Sequence, residues 1–188
     1  LLILGIGLIW WGMSGGVSFS DGWRQFRTWT QESDAKWLLL FIVLGLMVRT
    51  LALDSAIHFY LDEVNFASPV MRLRIQPNVQ IMNNIGPVAN FTWIYAYLEY
   101  YYTQLFGTTL VNLRAVSVIV GTLTIPATYL LGRWTFNRRI GLLASFLLAF
   151  YLPHIHYSRL AINNIADPLF GMMAIALLWR GLQTRSRA

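Results

Sequence analysis

The run from Leu110 to Trp134 constrains this chain most. It is almost unbroken apolar sequence, long enough to cross a bilayer as a helix, with Arg133 at its end and Arg138 and Arg139 close behind. A hydrocarbon core needs roughly 20 consecutive apolar residues for one helical crossing. Further apolar runs at 37–53, 140–155 and 168–182 repeat the pattern. Only 12% of residues are charged and 56% are hydrophobic, where a soluble domain carries roughly 25% charge. The reading is an all-α, polytopic transmembrane helical protein with an outer loop of juxtamembrane helices.

The charges that remain are informative by position. Thirteen of the fourteen basic residues are Arg, Lys36 being the exception, and the net charge is +6. They fall mostly between apolar runs, where headgroup and cytoplasmic contacts lie. No basic cluster stands free of those runs, which argues against nucleic-acid binding and for membrane lipid as the partner of the surface. With no Cys, a thiolate metal site is excluded.

Leu1–Trp11 is apolar but only eleven residues long, and reads as a cut span or an interfacial piece. Residues 12–36 form an amphipathic linker, with Trp23, Phe26 and Trp29 at helical spacing. The first residue is not Met, and both ends read as cut. Residues 37–188 form the membrane part, with spans at about 37–53, 110–134, 140–155 and 168–182. Arg49, near the end of the first, is expected to snorkel to the headgroups. Few helix-breaking residues interrupt the spans apart from Pro126.

Residues 54–109 are read as one outer loop. Pro69, Pro77 and Pro87 prevent a single continuous helix within 54–90. Phe91–Phe106 holds eight aromatic residues and Glu99. Tyr and Trp concentrate where a ring is buried and its polar tip is wet, so this piece reads as lying along the surface. The positive-inside bias places 133–139 and 180–188 in the cytoplasm. With a non-crossing 91–106 segment, the loop and residues 154–167 then share the outer face.

That face collects the residues with chemical potential, and ionisable groups near membrane depth are functional candidates. Asp62 and Glu63 are adjacent, so on a helix they point apart and take separate roles. Asp167-Pro168 has the pattern of an N-cap followed by a first-turn proline. A carboxylate held there can also bind a ligand. His154 and His156 would face one metal only in an extended segment; headgroup hydrogen bonding is the simpler reading. Arg159 is either a headgroup contact or a bidentate phosphate clamp.

Several short motifs occur in a definite order: Leu61-Asp62-Glu63-Val64-Asn65-Phe66-Ala67, an aromatic helix ending Leu105-Phe106-Gly107, and Leu113-Arg114 opening a span. Leu130-Leu131-Gly132-Arg133 closes that span, and Arg138-Arg139-Ile140-Gly141 opens the next. His156-Tyr157-Ser158-Arg159 precedes an Asp at a helix start. In these the chain resembles the N-terminal part of GT-C glycosyltransferases. The resemblance is specifically to the protein mannosyltransferase and aminoarabinose transferase group, with its bacterial lipopolysaccharide-sugar transferase relatives. The resemblance covers roughly 37–182. It departs at Gly86-Pro87-Val88, where many relatives carry a Pro-Pro pair.

The resemblance implies a multi-pass protein of a bacterial-type inner membrane that uses a polyprenyl-phosphate sugar donor. Asp62 is then the expected general base, with Glu63 orienting it. Asp167, Arg159 and His156 bind substrate, and a divalent metal at Asp167 is an open alternative with no ligand set assigned. A different class of function is a non-catalytic subunit of a larger membrane complex that retains only this part of the fold.

Overall fold

The computed structural model describes residues 33–55, 61–76 and 93–185. Leu1–Trp11, most of the 12–36 linker, Pro77, the Gly86-Pro87-Val88 stretch and Asn90 lie outside the described residues. Among the described residues every regular element is helical. In chain order these are α1 (Ser33–Thr50), α2 (Leu61–Ile75), α3 (Trp93–Phe106), α4 (Leu110–Thr135), α5 (Arg138–Ala149) and α6 (Leu152–Tyr157). A 3₁₀ turn at Asn163–Ile165 leads directly into α7 (Ala166–Arg185).

The centre of the fold is α4. At about 1.5 Å per residue, its 26 residues span roughly 39 Å. Thr109 caps it, its side chain accepting from the Asn112 N–H at 3.2 Å. The helix runs straight through Pro126. Each of three apolar clusters takes residues from it. Ile125 and Tyr129 pack with Leu38 of α1 and Ala149 of α5. Val116 and Val120 meet Tyr95 of α3 and Ile165 and Ala166 at the start of α7. Leu113 meets Val70 of α2 and Ala161.

Close approach of α4 and α5 depends on two glycines. A Cβ on Gly132 would sit 2.8 Å from the Gly141 Cα, and one on Gly141 would sit 2.8 Å from the Tyr129 carbonyl oxygen. The two glycine-bearing motifs of the sequence thus let two backbones touch. The far ends are tied by polar contacts. Arg138 of α5 pairs with Asp34 of α1, and the Tyr129 hydroxyl donates to Asp34 at 3.3 Å. The Trp134 carbonyl, an orphan in the last turn of α4, accepts from Trp179 Nε1 at 3.0 Å and Gln183 Nε2 at 3.3 Å in α7.

Among the described residues two helical stretches are long and apolar enough to cross a membrane, Leu110–Thr135 and Asn163–Gln183. Outward faces carry large apolar side chains: Trp37, Leu39, Val43 and Met47 on α1, Leu143, Phe146 and Leu147 on α5, and Ile175, Leu178 and Leu182 on α7. Apolar exposure on this scale is what lipid, not water, accommodates. The structure is that of an all-α membrane protein.

The continuous helix expected over 140–155 is instead divided. α5 stops at Ala149, and α6 restarts at Leu152 with Pro153 in its first turn. In an unbroken helix the Pro153 ring would strike the Ala149 carbonyl and leave it without a donor. α1 begins at Ser33, four residues ahead of the predicted span, because Asp34 suits a helix N-terminus.

Replacing Gly132 with Ala should force α4 and α5 apart and cost about 1–3 kcal/mol. A thermal melt in detergent that matched the parent would contradict the close contact.

Candidate functional site

α2 carries the two carboxylates of the first motif. Pro69 lies inside it, yet the helix continues. Proline removes the donor that would bond the Asn65 carbonyl, and the Ser68 hydroxyl donates to that oxygen at 3.1 Å. The second carboxylate, Glu63, points into the protein and is 1% exposed. Its two oxygens accept from Arg114 Nε and Nη2, each at 2.8 Å. Oε1 also accepts from the Ala161 backbone N–H at 2.8 Å. Arg114, fully buried, donates through Nη1 to the Leu53 carbonyl at 2.9 Å. This bidentate pair joins the end of α1, the start of α2, the first turns of α4 and the segment after α6. Asp62 is the residue next to it at the opening of α2; its side chain lies outside the described residues.

Arg49 does not snorkel. It is fully buried, because it meets a set of acceptors that the α5–α6 break exposes. Nη1 donates to the carbonyls of Gly45 at 2.8 Å and Ala149 at 3.1 Å. Nη2 donates to Leu148 at 3.4 Å and to His154 Nδ1 at 3.0 Å. Nε donates to Ser158 Oγ at 3.2 Å. Five donors thus meet five acceptors. The Ser158 side chain fits against α4 because residue 121 is glycine; a Cβ there would collide with it.

Arg159 donates through Nη2 to the carbonyls of Leu51 and Ala52, at 2.5 and 3.2 Å. Ala52 has φ +49°, a left-handed conformation that costs an L-residue roughly 1–2 kcal/mol. Arg159 therefore holds the turn that ends α1 through Nη2, while its buried Nε has no hydrogen-bond partner. His156 is exposed, its ring edge-on to Tyr157 with centroids 5.7 Å apart. Asp167 is exposed in the first turn of α7. It is not the N-cap expected from Asp167-Pro168, because the 3₁₀ turn at 163–165 lets the helix begin at Ala166. Pro168 is still tolerated, since first-turn N–H groups lack intrahelical partners. Among the described residues no three His, Asp or Glu side chains converge as a metal site.

Glu99 sits among aromatic residues whose sequence suggests a wet helix face. It is fully buried, and neither carboxylate oxygen has a hydrogen-bond partner. Burial outweighs the opposing influence of the nearby Tyr95 hydroxyl and, with a smaller push from the charge of Glu63, raises its pKa to about 9, so it is a neutral acid at pH 7. The nearby Tyr95 hydroxyl, hydrogen-bonded to Ser117, is likewise raised well above its ordinary range, mainly by burial.

Arg49, Glu63, Arg114, His154, His156, Arg159 and Asp167 thus occupy the end of the bundle where α1 finishes and α4 and α7 begin. An open pocket of about 330 Å³ lies there, between α6 and the start of α7, lined in part by Tyr151, His154, Tyr157 and Asn164.

The class the fold defines is the all-α membrane proteins, here with a buried ion pair and an exposed carboxylate gathered at one end. Residues 80–188 match the family of dolichyl-phosphate-mannose-protein mannosyltransferases, and the chain belongs to that family. The family is one of membrane glycosyltransferases. The match takes in α3 to α7, with Glu99, Arg114, His154, Arg159 and Asp167, and begins after α2 with Asp62 and Glu63. No curated protein and no solved structure matches significantly.

Glu63→Gln should destabilise the fold by about 3–5 kcal/mol, because it leaves the Arg114 charge buried with its counter-charge removed. Adding Arg114→Met should recover part of that loss; strictly additive effects would show that the two residues do not act as a pair. Glu99 gives a second expectation. Folded Glu99 keeps a proton that the unfolded chain releases above its ordinary value of 4.5, so its contribution to stability falls as pH rises from there towards about 9. The melting temperature of Glu99→Gln should therefore gain on the parent between pH 5 and pH 9. A constant difference would mean that Glu99 is solvated.

Proposed function

We propose that this protein is a multi-pass glycosyltransferase of the GT-C type, in a bacterial-type inner membrane. It would move a sugar from a polyprenyl-phosphate donor to an acceptor hydroxyl with inversion. Asp62 acts as general base. It takes the acceptor proton as that oxygen forms its bond to the anomeric carbon, and the bond from that carbon to the phosphate oxygen breaks. The lipid phosphate leaves with the electron pair.

The observation that carries this reading, beside the family, is the Glu63–Arg114 pair. It fixes the first turn of α2 against α1, α4 and the 158–161 segment, and so sets where Asp62 stands relative to Asp167 and His156. Glu63 is on this view a positioning residue. Arg159, whose Nε has no partner, stabilises the leaving phosphate while its Nη2 holds the end of α1, and Asp167 and His156, both exposed at the same end, bind the acceptor. If a divalent metal takes part, Asp167 is the residue that would hold it, through its exposed carboxylate. The 14 residues of α3 reach only about 21 Å. That length supports α3 as a helix along the outer surface, with the charged turn at 133–139 on the cytoplasmic side.

Asp62→Asn should lower transfer by at least ~10²-fold, in the range for loss of a general base, with helicity and melting temperature unchanged. The assay follows release of polyprenyl phosphate from a polyprenyl-phosphate sugar. Turnover by the variant at the parent's rate would remove Asp62 from the mechanism.

A further inference from the structure

We infer that the turn between α4 and α5 is a binding site for an anionic phospholipid, with the headgroup phosphate on Arg139 and an acyl chain along the seam between α5 and α1. The turn lies at the far end of α4 from Glu63 and Arg114. It opens into a groove of about 510 Å³ lined by Arg133, Asn137, Arg138 and Arg139. Two of these arginines are tied inward. Arg133 Nη1 donates to the Tyr129 hydroxyl at 2.8 Å, and Arg138 pairs with Asp34. Arg139 is exposed and has no hydrogen bond or ion pair with any described residue. Its guanidinium is a planar fork that matches two oxygens of one phosphate. Asn137 adds a second donor. Its Oδ1 accepts from the Ile140 N–H at 3.0 Å, which leaves the NH₂ end of this exposed, groove-lining amide to donate.

The charge of the groove selects the headgroup. Among the described residues no carboxylate lines it. Asp34 is buried and already accepts from Arg138 and Tyr129. Basic pockets between membrane helices take acidic headgroups. Phosphatidylglycerol would bring only its phosphate charge to this one, whereas a zwitterionic lipid would set an ammonium among three arginines.

The surface below the groove selects a lipid over a free phosphate. Arg139, Leu143, Phe146 and Phe150 follow at steps of four, three and four residues, the spacing of one helix face, and all four are exposed. The stripe therefore starts at the charged turn and runs the length of α5. α1 lies alongside. Ring centroids are 6.4 Å apart for Trp37 and Phe41, 5.4 Å for Phe41 and Phe146, and 5.2 Å for Phe146 and Phe150. The 12 residues of α5 rise about 18 Å, close to half of a hydrocarbon core roughly 30 Å thick. One acyl chain matches that length. A lipid lying on both helices adds to the hold that Asp34 and Arg138 already give α1 on α5. The assignment needs the membrane character of the fold and not the glycosyltransferase reading.

The test uses the full chain, stripped of lipid in a nonionic detergent. The probe is dioleoyl phosphatidylglycerol, with dioleoyl phosphatidylcholine and glycerol phosphate as controls. Native mass spectrometry reads binding, and a thermal melt reads its effect. Phosphatidylglycerol should bind about tenfold or more tightly than phosphatidylcholine and raise the melting temperature. Arg139→Gln should weaken that binding about tenfold, as expected for a hydrogen bond to a charged group. Arg139→Lys, which keeps the charge and loses the fork, should fall between. Arg72→Gln removes an exposed positive charge from α2 and should bind like the parent. Equal binding by parent and Arg139→Gln, or an equal loss in Arg72→Gln, would overturn the site. Phosphatidylcholine binding as tightly would overturn the anionic headgroup. Glycerol phosphate binding as tightly would overturn the lipid.

Discussion

Everything at the polar end of this protein hangs on one buried ion pair. Taking a carboxylate and a guanidinium out of water is expensive, and Coulomb attraction offsets that only when the remaining donors and acceptors are used. Here they are. Glu63 accepts three hydrogen bonds and Arg114 gives one more to Leu53. The partners lie on four separate segments, so the pair acts as a joint. An apolar contact of the same size would stabilise as much but would tolerate sliding. The ion pair accepts one register of α2, and that is the property a helix carrying a reactive neighbour needs.

The rest of the bundle supplies the frame in which that joint can be buried. Glycines at 132 and 141 bring α4 and α5 into backbone contact, and Gly121 admits Ser158. In a bilayer, apolar side chains gain little by leaving lipid for each other, so close packing of small residues and interhelical polar contacts must hold helices together. Both appear here, at opposite ends of α4. At one end Arg138, Asp34 and Tyr129 form a polar tie. At the other stand Glu63 and Arg114.

The helical class, the central span and the gathering of polar residues at one end were legible in the sequence, because each rests on the spacing of apolar runs and the place of arginines between them. The errors have a common cause. Arg49 read as a snorkelling side chain because sequence shows its depth but not which side of the helix meets acceptors. Pro126 looked like the interruption, yet α4 runs through it. Pro153 makes the real break, and it lay inside what read as a plain span. The eight aromatic residues around Glu99 suggest an interface, while the fold turns that position inward. The signal for Pro153 was present, a proline followed by two histidines within a short run; the signal for Glu99 was not.

Those two prolines show why a break has to be judged by its consequences. In α4 the loss of one hydrogen bond is tolerated inside a long, well-packed helix. After α5 the lost bond would leave the Ala149 carbonyl without a donor, and the chain instead turns it, with Leu148, towards Arg49. Arg49 can be buried only because those carbonyls exist, and they exist only because Pro153 ends the helix. His154 follows directly after that proline, and its ring reaches the guanidinium on one nitrogen and leaves the other buried without a partner. The break in the span and the polar character of the site are therefore one structural event, set by a single residue.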